Sequence, residues 1–194
     1  MLRALLAAIA CLALTGCWVS DHRLFGDADW GHVNLSGKYK RENANGDDEA
    51  SVVLHTLANG LIEGTATDAN DGKTERMAMG LVPIAGGSGR YFLAVDRSDR
   101  KDTGDIYFIA HLTDDKGLEI YWPDCEGTAA GQGIERSKDN LTDMMVCTFS
   151  TKAALMGAAL QAEKFLSAKH VIAVAPFGRL VPDDGSDEEP ADAP

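Results

Sequence analysis

The sequence predicts a mainly β fold: an antiparallel meander of about eight strands forming a barrel or strongly curved sheet, with one C-terminal helix. Three observations carry this expectation. From Leu35 onward, short β-prone runs are punctuated by turn residues roughly every 8–14 positions. Within the runs apolar residues alternate, as in Ile106, Phe108, Ala110 and Leu112, which places them on one face of a strand. Helical spacing is sustained after Ser150, where Leu155, Ala158, Ala159, Ala162, Phe165 and Leu166 mark a buried face.

Taken in order, Leu35-Ser36-Gly37-Lys38-Tyr39 opens the first strand. Ser51–Ala58 and Leu61–Thr67 flank Asn59-Gly60, the strongest short hairpin signal, because a type I′ turn needs positive φ at both central residues. Asp71-Gly72 leads into Glu75–Ile84, and Gly86-Gly87-Ser88-Gly89 into Arg90–Val95. The charged stretch Asp96–Gly104 precedes Ile106–Leu112, and Asp114-Asp115-Lys116-Gly117 turns the chain into Leu118–Trp122. Pro123–Asn140, rich in glycine and polar residues, is expected to be a long loop, and Met144–Phe149 a returning strand. Ser150 or Thr151 can cap the helix, which runs to about Ser167. Val171–Ala175 reads as a last strand ended by Pro176. A single meander must protect its edge strands, and closing on itself does so.

The start of the chain has a different character. Arg3 is followed by the apolar run Ala4–Leu14, 11 residues long, and then by Thr15-Gly16-Cys17. A helix needs about 20 residues to cross the ~30 Å hydrocarbon core, so this run reads as a cleaved export signal. Leu14-Thr15-Gly16-Cys17 resembles the lipobox of bacterial lipoproteins. That resemblance implies cleavage before Cys17, lipid on its sulfur and acylation of the new N-terminus. The membrane is then a partner through several acyl chains, each buried CH₂ contributing about 0.8 kcal/mol. In the sorting pattern of such lipoproteins an aspartate after the cysteine retains the protein at the inner membrane. Trp18 stands there instead, which favours the outer membrane.

The domain plan is thus a signal peptide over 1–16, a lipidated tether over 17–33 with Trp18 at the lipid interface, one β-rich domain over 34–181, and an acidic disordered tail over 182–194. The chain carries a formal charge of -12; loss of Arg3 with the signal takes it to -13. The tail holds Asp183, Asp184, Asp187, Glu188, Glu189 and Asp192 with no base. An acidic body lacks the basic stripe that nucleic acid calls for. Cys11 leaves with the signal and Cys17 is taken by lipid, so Cys125 and Cys147 remain to pair in an oxidising envelope.

Catalytic and metal signatures are weak. Gly86-Gly87-Ser88-Gly89-Arg90 approaches a nucleophile elbow, but Arg90 replaces the second glycine and a strand follows where a helix belongs. Asp68-x-Asn70-Asp71-Gly72 puts glycine at the fifth position of a calcium loop and Met79 at the twelfth, so it reads as a turn, as does Asn43–Glu49. His22, His32, His55, His111 and His170 have no metal spacing. Met77, Met79, Met144 and Met145 read as strand-core residues rather than soft metal ligands. No cofactor motif is present.

Two further likenesses are short. Gly37-Lys38-Tyr39 is similar to the Gly-x-Trp/Tyr opening of lipocalin-like and avidin-like barrels, which leans the fold towards a barrel. Gly87-Ser88-Gly89-Arg90-Tyr91 is similar to part of the loop that MliC-type membrane-bound lysozyme inhibitors present to the enzyme's acidic cleft. This likeness makes Ser88, Gly89, Arg90 and Tyr91 a candidate interaction loop. The family's second Lys-Gly motif is missing at short range, and the late helix departs from it. The sequence therefore points to a non-enzymatic envelope module that binds a protein or small ligand. The alternatives are an inhibitor of a lysozyme-type periplasmic enzyme and a hydrolase.

Overall fold

The computed structural model describes residues 17–43, 46–97, 104–123, 125, 131–138, 145–168 and 178–183. The expected signal peptide, the strand Val171–Ala175, most of the charged 96–104 stretch and the tail beyond 183 lie outside these residues.

Eight strands close into an antiparallel barrel: β2 (Gly37–Glu42), β3 (Asp48–Thr56), β4 (Ile62–Asp68), β5 (Thr74–Pro83), β6 (Tyr91–Asp96), β7 (Ile106–Leu112), β8 (Leu118–Tyr121) and β11 (Gly178–Pro182). From β2 to β8 each strand pairs with the next in sequence; β11 lies between β8 and β2, antiparallel to both, and closes the ring. Three shorter strands extend the sheet outward from β7: β1 (Cys17–Val19), β10 (Met145–Phe149) and β9 (Ile134–Lys138). One helix, α1 (Lys152–Ser167), follows β10, with Thr151 Oγ1 accepting a hydrogen bond from the Ala154 N–H as its cap.

The alternation expected in β7 is present, and it decides how the layers form. Phe108, Ala110 and Leu112 face the barrel interior with Tyr39, Val52, Leu54, Ile62, Leu81 and Leu118. Tyr107 and Ile109 face outward and are nonetheless fully buried. The outer faces of β6 and β7 carry a second core, in which Leu93, Val95, Tyr107 and Ile109 meet Trp18, Phe149, Leu155 and Ala159. Strands covered on both faces need no polar side, which is why Phe92-Leu93-Ala94-Val95 is an unbroken apolar run.

Residues 17–33, expected to form a tether, are instead docked over this second core. Trp18, Phe25 and Trp30 are buried, and Trp18 packs on Phe149 with ring centroids 5.2 Å apart. Trp18 is therefore a core residue and does not sit at a lipid interface. Ser20 donates its backbone N–H to Asp105 O (3.1 Å) and shares a 2.7 Å hydrogen bond with the Tyr107 hydroxyl. Trp30 lies against Gly80, where any Cβ would come within 2.4 Å of the indole. The physical reason is the apolar outer wall of β6 and β7: three aromatic rings cover it at about 1.5–3 kcal/mol each for full burial.

Other boundaries shift in instructive ways. The Asn59-Gly60 hairpin forms, but only Gly60 has positive φ (86°), so the connection is not a two-residue type I′ turn. Leu57 N–H to Leu61 O and Gly60 N–H to Leu57 O close a longer loop, the type I turn plus left-handed glycine that also suits the strand twist. The expected loop Pro123–Asn140 contains β9, and the chain's last described strand is β11, beyond Pro176. Because Pro182 pairs with Tyr39 and Asp183 N–H bonds Lys38 O, the folded body runs to residue 183 rather than 181. On α1, Phe165 is half exposed (51%), and the buried positions are Leu155, Ala158, Ala159 and, unexpectedly, Glu163.

Cys125 and Cys147 form a disulfide, with Cα atoms 5.6 Å apart and both residues fully buried. It ties Cys125 to β10 and so to the outer core.

Candidate functional site

The barrel interior is filled at one end and hollow at the other. Leu35, Leu54, Leu81 and Leu118 pack the end near the β3–β4 turn, each 1% exposed or less. At the opposite end, where β2, β4 and β6 finish, the inward side chains leave space between them. A cavity of about 220 Å³ opens there, lined by Met77, Met79, Ala94, Phe108, Ile120 and Leu180. Ala94 is the reason for the space: it stands between Phe92 and Asp96 on the inward face of β6, where a larger residue would fill it.

Three charged residues border this mouth. Arg41 lies on the inward face of β2, two residues beyond buried Tyr39 and opposite Ala50 and Leu180. Its Nε is buried without a hydrogen bond among the described residues, 3.4 Å from the Glu49 carboxylate. Asp96 closes β6 on the other side of the opening. Arg179 borders the cavity from β11, while its guanidinium turns towards Asp115 at 3.8 Å. An apolar lining with a few charged groups at its rim is the usual form of a small-molecule site. The volume falls below the ~300–1,000 Å³ typical of drug-sized ligands, and suits one short apolar chain or the end of a longer one.

The loop joining β5 to β6 is the second feature. Residues 85–90 are all exposed. Its backbone is nonetheless held: Glu163 of α1 accepts a hydrogen bond from the Ser88 N–H at 2.5 Å, and Arg90 pairs with Asp114. Ser88, Gly89 and Arg90 thus point into solvent from a fixed platform. Tyr91 does not join them; its ring stacks on His111 at 4.5 Å against the barrel wall, and burial pushes its phenol pKa up.

Beside Tyr91, His111 Nδ1 lies 2.9 Å from Glu119, which also accepts the Tyr121 hydroxyl at 2.8 Å. Burial alone would raise the Glu119 carboxyl; the His111 and Tyr121 hydrogen bonds outweigh it and hold the group below its usual value. A histidine–carboxylate pair could serve a nucleophile, but no described serine, threonine or cysteine bonds to His111. Ser88 Oγ is occupied locally, accepting from the Arg90 N–H at 3.3 Å. The elements of a hydrolase are therefore not assembled around Ser88. Asp68 is likewise engaged within its own turn, accepting from the Asn70 and Asp71 N–H groups, which hold its carboxyl below the usual range.

The buried ion pair Arg97–Asp105 (3.1 Å) serves the N-terminal segment. Arg97 donates to Phe25 O and lies over the Trp30 ring, and Asp105 receives the Ser20 N–H on its carbonyl. Burial raises the Asp105 carboxyl, with Arg97 and then Arg23 opposing it.

Ser88 to Tyr91 are legible in the sequence as one loop, whereas Arg41, Glu163 and the His111–Glu119–Tyr121 cluster belong to no sequence motif. Glu163 left a signal: it falls four residues after Ala159, inside the apolar stripe of α1. Arg41 left a similar one, two positions after an inward tyrosine.

The fold and cavity define a closed eight-stranded β-barrel with an apolar, one-ended pocket. Comparison with known protein families, characterised proteins and solved structures finds no match.

Proposed function

We propose that this protein is a bacterial envelope lipoprotein, held by lipid on Cys17, whose barrel binds a small apolar ligand in its open end. The observation that carries the binding is the cavity lined by Met77, Met79, Ala94, Phe108, Ile120 and Leu180. The anchor is supported by Arg3, the apolar run to Leu14 and the Leu14-Thr15-Gly16-Cys17 motif. Trp18 in place of aspartate favours the outer membrane. Arg41 at the rim suits a ligand with an anionic or strongly polar end, since a guanidinium binds carboxylate and phosphate through paired donors.

Trp122 supplies a reporter, because its ring packs on cavity-lining Phe108 with centroids 4.6 Å apart. The oxidised chain from Cys17 to Pro194, produced without lipid, should show saturable tryptophan quenching by a brominated fatty acid. The unbrominated acid should reverse it. Weak quenching that rises linearly without saturation would show that the cavity binds no acyl chain.

A second reading has its own observation. The exposed, backbone-anchored loop 85–90 is what an inhibitor needs in order to enter a catalytic cleft. Under that reading the partner is a lysozyme-type periplasmic enzyme, and Arg90→Ala would weaken its inhibition while leaving acyl binding intact.

A further inference from the structure

The strand register brings Cys17 and the barrel mouth into one geometry. β1 begins at Cys17, and the next residue, Trp18, is buried in the outer core. Trp18 pairs with Tyr107 and Val19 with Ile106, while Cys17 itself pairs with Val146 of β10. No slack separates Cys17 from the folded body. A free tether of about 16 residues would have allowed a reach of up to roughly 55 Å; here Cys17 is itself part of the sheet. Ser20 on Asp105 and Tyr107, and Arg97 on Phe25 O, fasten the segment that leads away from β1.

Directly opposed residues of paired strands point to the same face of a sheet, and side chains along a strand alternate. Trp18 therefore faces outward with Tyr107, whereas Val19 and Cys17 share the face of Ile106 and Phe108. Phe108 lines the cavity. β1 also occupies the edge of β7 beyond the end of β8, next to the open end of the barrel: β8 pairs with Ile109–Leu112 and β1 with Ile106–Tyr107. The Cys17 sulfur thus lies on the side of the sheet that curves around the mouth.

We infer that the barrel mouth faces the bilayer that holds the anchor, and that the pocket takes the end of an acyl chain of a membrane lipid. This rests on acylation of Cys17. The described residues at this end include Glu42, Asp47, Glu49, Asp68, Asp71 and Asp96 beside Arg41 and Lys73, so the rim is acidic on balance, has no basic patch for anionic headgroups and suits a zwitterionic surface. A cavity too small for a whole lipid fits the end of one acyl chain, with the lipid's other chain remaining in the bilayer.

The test uses the full lipidated protein, purified from the envelope and placed in phosphatidylcholine vesicles. With Cys17 acylated and Cys125 bridged to Cys147, an introduced cysteine can be labelled selectively. Ala69 lies in the exposed turn at the mouth, and Ala58 in the exposed turn at the closed end. A fluorophore on Ala69→Cys should be quenched severalfold more strongly by headgroup-nitroxide lipid than one on Ala58→Cys. Equal or reversed quenching, with the acylated Cys17 peptide confirmed by mass spectrometry, overturns the orientation alone. An unacylated Cys17 peptide removes the anchor and this inference with it. Lipid carrying a diazirine near the end of its acyl chain should crosslink to the peptide containing Met77 and Met79. Quenching at Ala69 without that crosslink overturns the acyl occupant and leaves the orientation standing.

Discussion

Glu163, on the buried face of α1, accepts the backbone N–H of Ser88 and so fixes the β5–β6 loop to the helix. Gly87 is part of the same joint: a Cβ there would lie 2.0 Å from Glu163 Oε2. Glu163→Ala should therefore cost about 1–3 kcal/mol, the usual loss when a buried polar partner is removed. Glu163→Gln, which keeps an acceptor, should cost less. Gly87→Ala should destabilise without removing any hydrogen-bonding group, because the carboxylate must move. Urea denaturation of the three variants orders them, and an unchanged midpoint for both Glu163→Ala and Gly87→Ala would show that the joint contributes nothing.

The disulfide fastens β10 and the outer core, and it closes a loop across a sequence separation of 22. Cys125→Ala with Cys147→Ala should lower stability by about 2–5 kcal/mol. Equilibrium unfolding of oxidised wild type against the double variant gives the figure. Two free thiols at Cys125 and Cys147 in protein purified from its own cells would contradict the bridge itself.

Closure of the barrel depends on β11. Its backbone pairs with β2 through Arg179–Pro182 and with β8 through Gly178–Leu180. Ending the chain after residue 183 should leave stability within roughly ±0.5 kcal/mol, as surface changes do. Ending it after residue 177 leaves two edges unpaired and the inner core open, and should abolish cooperative unfolding. Far-UV circular dichroism through a thermal melt separates the two outcomes.

Asp105 gives a pH signature. Burial raises its folded-state pKa, and Arg97 only partly offsets this. An acid with a raised folded pKa contributes stability that is complete below the unfolded value and lost as pH climbs through the folded one. The stability difference between Asp105→Asn and wild type should therefore move in favour of the variant as pH rises from the ordinary carboxylate range through the raised value, then level off. A difference moving the other way would mean that Arg97 dominates and the carboxyl is held low.

What the sequence revealed depended on how one-sided each element is. The barrel strands β3 to β8 show alternation or an unbroken apolar run because their inward faces build the core, and their turns carry glycine and aspartate. β9 escaped because Ile134 is its sole apolar residue and it lies on an edge. β1 has only three residues, Cys17–Val19, too few to leave a period to detect. β11 escaped because it ends in proline and takes its meaning from β2 and β8, both distant in sequence. The mouth was invisible for a related reason: a cavity is made by what a set of strands lacks, and Ala94 reads like any other small core residue. The Ser88 loop was legible as a turn, but its anchor on Glu163 is a contact across 75 positions of chain.

Cys17 is the proposed point of attachment to the membrane. Cells producing wild-type chain or Cys17→Ser are fractionated after labelling with a radioactive fatty acid, and the N-terminal peptide is identified by mass spectrometry. Label is expected in the wild-type membrane fraction, with acylated Cys17 as the first residue. Cys17→Ser should carry no label and be either unprocessed or released. Normal processing and undiminished membrane attachment of Cys17→Ser would contradict attachment through Cys17.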